Sequence, residues 1–116
     1  MKSTIKCIQM NLHLPERNLR FPRRPLLMGI VNVNDDSFSG DGTLDATEAL
    51  SQVRRQVEAG ADVVDIGAES ARTNRAAISV EEECGRLRGV LGKWKEALVE
   101  MEPRDSEQVW PPVLSV

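Results

Sequence analysis

The stretch Leu26-Leu27-Met28-Gly29-Ile30-Val31-Asn32-Val33 constrains this chain more than any other. It is an apolar run that gives way at once to Asn34-Asp35-Asp36-Ser37-Phe38-Ser39. A run that apolar reads as a strand buried on both faces, which belongs to a parallel sheet or barrel core. The polar loop that follows sits at the strand's C-terminal end, where α/β barrels and open α/β sheets place their chemistry. The pattern returns one βα unit later in Asp62-Val-Val-Asp65-Ile-Gly67, followed by Ala68-Glu69-Ser70-Ala71-Arg72.

Between the two runs, Asp45 with Glu48 reads as a capping box. Ala46, Ala49, Leu50, Val53 and Val57 share one face of a helix over about 45–59, and Gly60 suits its C′ position. Ser79 with Glu82 reads as a second capping box. It opens a helix expected to carry Val80, Cys84, Leu87, Val90, Leu91, Trp94 and Leu98 on one face to about Met101. Gly85, Gly89 and Gly92 each weaken that helix by about 1 kcal/mol relative to Ala where they are interior. Val113 to Val116 begins a third strand, with Trp110 ahead of Pro111-Pro112 expected to cover a sheet edge. Right-handed crossovers make these strands parallel and bring both polar loops to one end of the sheet. Asn32, Asp36 and Ser37 then lie near Glu69, Ser70 and Arg72.

Ahead of this, Leu12, Leu14, Leu19 and Phe21 flank Pro15-Glu16-Arg17-Asn18 and read as a hairpin. Residues 1–25 are expected to form a lead-in and 26–116 the domain proper. Arg17, Arg20, Arg23 and Arg24 read as a solvated hairpin surface, with an anion patch as the alternative. His13 is expected to face solvent.

A length of 116 residues suits one domain. The net charge of -3 gives no reason to expect nucleic acid or an anionic membrane as partner. No apolar run approaches the roughly 18 residues of a membrane span. Met1 to Met10 lacks the apolar core of a secretory signal. Cys7 and Cys84 have neither metal-ligand spacing nor a disulfide framework, so both are expected as free thiols in a reducing cytoplasm.

Met28-Gly-Ile-Val-Asn-Val, Asp36-Ser-Phe-Ser, Glu58-Ala-Gly-Ala-Asp-Val-Val-Asp-Ile-Gly, Glu69-Ser70 with Arg72, and Ser79-Val-Glu-Glu-Glu occur in one order and spacing. Together they resemble the N-terminal part of dihydropteroate synthase, over about residues 26–92 and more loosely 12–116. The resemblance implies an α/β fold, the first three or so βα units of a (β/α)8 TIM barrel. It implies a folate-pathway transferase that joins 6-hydroxymethyl-7,8-dihydropterin pyrophosphate to p-aminobenzoate and releases pyrophosphate, in the cytoplasm and as a possible homodimer.

By that resemblance Asn32 contacts Mg2+ and the pyrophosphate, and Arg72 lies near the same pyrophosphate. Asp36, Ser37 and Phe38 belong to a loop that covers the site and helps form the p-aminobenzoate pocket, and Ser70 binds substrate beside Arg72. Arg72 and Asp36 are the catalytic candidates. These residue types suit the chemistry. Breaking the bond to pyrophosphate leaves charge that a guanidinium and a divalent cation stabilise, and a carboxamide oxygen is a hard ligand suited to Mg2+.

The chain departs from the family pattern in three places. Asn34-Asp35 replaces Thr-Pro, Gly40-Asp41-Gly42 replaces Asp-Gly-Gly, and Ala71 replaces the Thr of Glu-Ser-Thr-Arg-Pro. A hydrogen bond lost to a charged group costs about 1.5–3 kcal/mol, enough to weaken activity or change the substrate. A whole barrel needs about 250 residues, and the pterin-ring contacts of the family begin just past the third strand. Two competing expectations are a methyltetrahydrofolate–corrinoid methyltransferase of the same superfamily and a non-catalytic fragment that binds a partner chain.

Overall fold

In a computed structural model the described residues are 8–34, 42–68 and 77–116. They form two sheets. An antiparallel hairpin pairs β1 (Met10–Leu14) with β2 (Arg17–Phe21). A three-stranded sheet orders β3 (Met28–Asn32), β4 (Val63–Gly67) and β5 (Val113–Ser115), all parallel. The helix α1 (Ala46–Glu58) connects β3 to β4, and α2 (Val80–Leu91) with α3 (Trp94–Leu98) connects β4 to β5.

The alternation of the strands decides what is covered. Val31, Val33, Val64, Ile66 and Ala68 point to the face that α1 covers with Ala49, Leu50, Val53 and Val57, and all are buried. The opposite face carries Met28, Ile30 and Asn32 of β3, Val63, Asp65 and Gly67 of β4, and Val113 and Ser115 of β5. The expectation of a strand buried on both faces is therefore corrected. Met28 is 59% and Ile30 57% exposed, because the described helices pack on the other face only.

Both helix starts are capped by the residues the sequence indicates, but neither box is reciprocal. Asp45 accepts from Thr47 N at 2.9 Å, and Ser79 accepts from Glu82 N at 3.1 Å. Glu48 turns instead to Arg55 at 3.3 Å, and Glu82 to Arg86 at 2.7 Å. An arginine one or two turns downstream outcompetes the cap for the carboxylate. α1 ends as expected, with Gly60 at φ +109, the left-handed conformation that glycine adopts without strain.

The single helix expected over about 80–101 is two helices. Lys93 leaves helical geometry at φ -111, ψ 6, and its N–H turns back to Val90 O. Gly92 just before it lowers the cost of that break. The apolar stripe also buries less than its spacing suggests: Leu87 and Val90 are buried, Val80 is 69% exposed, and Cys84 is an exposed free thiol. Trp94 and Trp110 are half-buried against the core.

The N-terminal ends of the strands are fixed by one buried carboxylate. Asp62 is fully buried. Its two oxygens accept from Leu27 N at 2.9 Å and Val109 N at 2.8 Å, and Arg24 lies 3.8 Å away. The reading of Arg23 and Arg24 as solvated hairpin surface is thus corrected. Arg24 also pairs with Asp105 at 2.9 Å, and Arg23 donates to Glu107 O. Arg20 does remain exposed, as does His13, which bonds Asn18 across the hairpin. Gln108 completes the seam by donating to Val57 O and Ala61 O, both at 2.9 Å.

Replacing Asp62 with Ala orphans two N–H groups of this seam. Asp62→Ala is expected to lower unfolding free energy by about 3 kcal/mol in urea titrations. The hydrogen bond from Arg24 holds the Asp105 carboxyl below the usual carboxylate range, and Asp105 in turn raises Arg24 further. A depressed folded-state value stabilises above the unfolded value and is lost as pH falls through the folded one. Stability is therefore expected to fall as pH drops below the ordinary carboxylate range. In Asp105→Asn that fall is expected to be shallower, which melting temperatures across an acid series will test.

Candidate functional site

Parallel pairing places the C-terminal ends of β3 and β4 side by side. Val33 N donates to Gly67 O at 2.7 Å, and Asn32 is in register with Gly67. The segments after Asn34 and after Ala68 therefore start from adjacent points, as the sequence requires if the two polar loops are to share a site. Asp36, Ser37, Phe38, Ser70 and Arg72, together with Glu69 and Ala71, lie outside the described residues. Asn32 and Asn34 are described.

Asn32 is half-buried and shares its face of the sheet with Met28 and Ile30, away from α1. Its backbone carbonyl accepts from Thr43 N at 3.0 Å, which ties the backbone ahead of α1 to the strand end. Gly67 is its neighbour on that face, and a Cβ there would meet no described residue within 4 Å. A side chain at 67 would occupy the space next to the Asn32 carboxamide. Asn34 is buried at 3% exposure just beyond the strand. In place of the family's Thr it puts a larger polar side chain at the root of the loop.

One layer deeper, Ile30, Asp65 and Ser115 are in register. Ser115 Oγ donates to Asp65 at 2.7 Å. Asp65 is thus held by a side chain of the third strand, 50 residues on, and lies on the same face as Asn32. The layer below, Met28, Val63 and Val113, is apolar. The exposed face of the sheet therefore grades from apolar at its floor to polar at the strand ends.

Arg86 is a further residue of this region that the motifs do not reveal. From α2 its guanidinium donates to Ala68 O at 3.1 Å while paired with Glu82. It clamps the end of β4 where the second polar segment leaves. The available signal was Glu82 and Arg86 at i, i+4 on a helix otherwise read for its apolar stripe.

Among the described residues no group of three or more His, Cys, Asp or Glu could hold a metal. The oxygen donor placed at the strand end is the Asn32 carboxamide. A single protein oxygen fits Mg2+, which keeps most of its shell as water and phosphate oxygens. Among the described residues no helix is long and apolar enough to cross a membrane.

Ser115→Ala is expected to lower stability by about 1 kcal/mol through loss of the hydrogen bond to Asp65. An Asp65→Asn variant, which can still accept from Ser115, is expected to lose less. Urea unfolding of both variants tests the pairing.

Residues 28–102 match the pterin binding enzyme family. The mitochondrial folate synthesis bifunctional protein of Pisum sativum is 49% identical over 74 residues, covering 63% of this chain and 14% of that protein. Dihydropteroate synthase of Bacillus subtilis is 36% identical over 81 residues, covering 69% of this chain and 28% of that enzyme. Among solved structures, a dihydropteroate synthase of Coxiella burnetii in complex with pteroic acid aligns at TM-score 0.65 and 28% identity, over 90% of this chain and 32% of that one. The Xanthomonas albilineans enzyme with 4-aminobenzoic acid aligns at TM-score 0.60 and 36% identity, over 81% and 33%. The chain spans between about a seventh and a third of the length of these relatives. The match covers well over half of the chain, with the strand-end geometry that its motifs imply, and the chain belongs to the pterin binding enzyme family.

Proposed function

We propose that this chain forms the pyrophosphate-side wall of a dihydropteroate synthase-type site, as the first three βα units of a (β/α)8 barrel. Residues 1–25 are its lead-in and 26–116 its barrel portion. The observation that carries the reading is the juxtaposition of Asn32 and Gly67 at adjacent, parallel strand ends, from which both motif-bearing segments depart. The names and ligands of the similar enzymes support it, since the solved relatives hold pteroic acid and 4-aminobenzoic acid.

The reaction is substitution at the pterin methylene. The C–O bond to pyrophosphate breaks, the amine nitrogen of p-aminobenzoate bonds to the carbon, and that nitrogen loses a proton. Negative charge on the departing pyrophosphate is what the site must stabilise. Arg72 does this with paired N–H donors. Asn32 presents a neutral oxygen able to hold Mg2+, which when bound neutralises pyrophosphate charge. Gly67 leaves the room that the leaving group needs. Asp36, Ser37, Phe38 and Ser70 line the p-aminobenzoate side and exclude water from the cationic carbon. Ala71 lacks the family's Thr hydroxyl, so the pyrophosphate or p-aminobenzoate region has one donor fewer.

The test is calorimetric titration of the chain with 6-hydroxymethyl-7,8-dihydropterin pyrophosphate in the presence of Mg2+. Asn32→Ala, Arg72→Ala and Gly67→Val are each expected to weaken binding at least about tenfold, equivalent to about 1.4 kcal/mol. Ala71→Thr is expected to strengthen it. Gly67→Val is expected to leave the melting temperature nearly unchanged, because no described residue lies within 4 Å of a Cβ at that position. Equal affinity in wild type and all three weakening variants would overturn the assignment.

A further inference from the structure

Arg86 stands apart from the motif residues, because both terminal nitrogens of its guanidinium are already engaged. One donates to Ala68 O at 3.1 Å and the other to Glu82 at 2.7 Å. Glu82 balances the charge, so this guanidinium is not a free anion ligand of the kind the site needs. The Arg86 side chain is 16% exposed and that of Glu82 51%. An ion pair so open to water adds little to stability. Its effect is one of direction: with one nitrogen held by Glu82, the rigid fork aims the other at the end of β4.

The same pair reaches both ends of one segment. Ala68, whose carbonyl Arg86 holds, is where residues 69–76 leave β4. Ser79 caps α2 by accepting from Glu82 N at 3.1 Å, and Ile78 just ahead of it packs against the core. Residues 69–78 thus start and finish at groups tied through Arg86 and Glu82. The end of β3 is held differently, by a backbone donor, Thr43 N, on Asn32 O. At β4 the hold is a side chain, so a single substitution removes it.

The geometry of a chain leaving an anchored point makes that hold matter. The four residues from Ala68 to Arg72 span at most about 14 Å. Over that reach a change of about 10° in the exit direction moves position 72 by up to about 2 Å. A misplacement of about 1 Å in a group that stabilises charge can cost about a hundredfold. We propose that Arg86 is a positioning residue for the pyrophosphate side of the site. It fixes the direction in which the chain leaves β4, and through it the place of Arg72. The inference rests on the dihydropteroate synthase-type reading of that side.

The test is calorimetric titration with 6-hydroxymethyl-7,8-dihydropterin pyrophosphate and Mg2+, arranged as double-mutant cycles. Arg86→Met keeps the apolar stem and removes the donors, and is expected to weaken binding about tenfold. In an Arg72→Ala background the same change is expected to cost less than twofold, because the group it positions is gone. In an Asn32→Ala background it is expected to cost the full tenfold. Arg54 supplies the matched control. From α1 it donates to Ala97 O of α3, also at 3.1 Å, in a bond between helices with no strand end in it. Arg54→Met is expected to lower the melting temperature about as much as Arg86→Met and to leave affinity within twofold. Glu82→Gln keeps a neutral acceptor for Arg86 and is expected to weaken binding about threefold, with the same dependence on Arg72. It decides the question should Arg86→Met fail to fold. Unchanged affinity in the Arg86 and Glu82 variants, or a loss equal with and without Arg72, would overturn the proposal. So would an equal loss in Arg54→Met. Those results leave the effects of Arg72→Ala and Asn32→Ala in place, whereas failure of the pyrophosphate reading removes them and overturns both.

Discussion

A carboxylate with no exposed surface holds the strands of this sheet to their neighbours. Asp62 immediately precedes β4, accepts from the backbone just before β3, and accepts again from the backbone that leads into β5. Three segments separated by helices thereby share one acceptor at the N-terminal end of the sheet. A buried charge is costly unless its hydrogen-bond capacity is filled. One N–H donor on each oxygen, at 2.8 and 2.9 Å, and the Arg24 charge 3.8 Å away offset that cost. Register follows from this anchor, because a parallel strand that slips by one residue sends its apolar side chains to the wrong face. Val31, Val33, Val64 and Ile66 all reach the face under α1 only in the register that the Asp62 seam sets.

Fixing the floor of the sheet leaves the other end free to vary. The floor layer is apolar, the next carries Asp65 and Ser115, and the strand ends carry Asn32 opposite Gly67. The polarity gradient matches the division of labour in α/β folds, where the N-terminal face serves stability and the C-terminal face carries chemistry. Arg86 and Thr43 reinforce the top from outside the sheet, one holding Ala68 O and the other Asn32 O. Each fixes the backbone of a strand end from which a motif-bearing segment departs.

The elements were legible in the sequence because they rest on local rules. The buried face of α1, the capping residues Asp45 and Ser79, the C′ glycine and the order of the strands follow from periodicity and turn chemistry. What escaped depends on partners far along the chain. Arg24 looked like one more solvated arginine because Asp105 lies 81 residues away. Asp62 and Asp65 share one strand motif, yet one is a structural anchor and the other a face-lining acceptor for Ser115. The apolar run at 26–33 showed composition but not coverage, since burial of Met28 and Ile30 depends on what packs over the sheet. Of the site, Asn32 could be placed, and Arg86 could not be singled out because its role lies in a carbonyl 18 residues upstream.

The outward edge of β3 is occupied by groups of the chain itself. A parallel sheet grows by strand addition, and both of its edges offer unpaired backbone groups in principle. Here Gln56 and Thr43 occupy the outward carbonyls of Ile30 and Asn32. A strand added at this edge would exchange places with these two donors. The exchange trades one hydrogen bond for another at each carbonyl, so its net energy is small. The Gln56 carbonyl oxygen is buried without a hydrogen-bond partner, so releasing that side chain also relieves an unsatisfied acceptor. Protection of this edge and its release to an added strand are therefore compatible in the same two residues, provided that position 29 remains glycine, since a Cβ there would collide with the Gln56 amide.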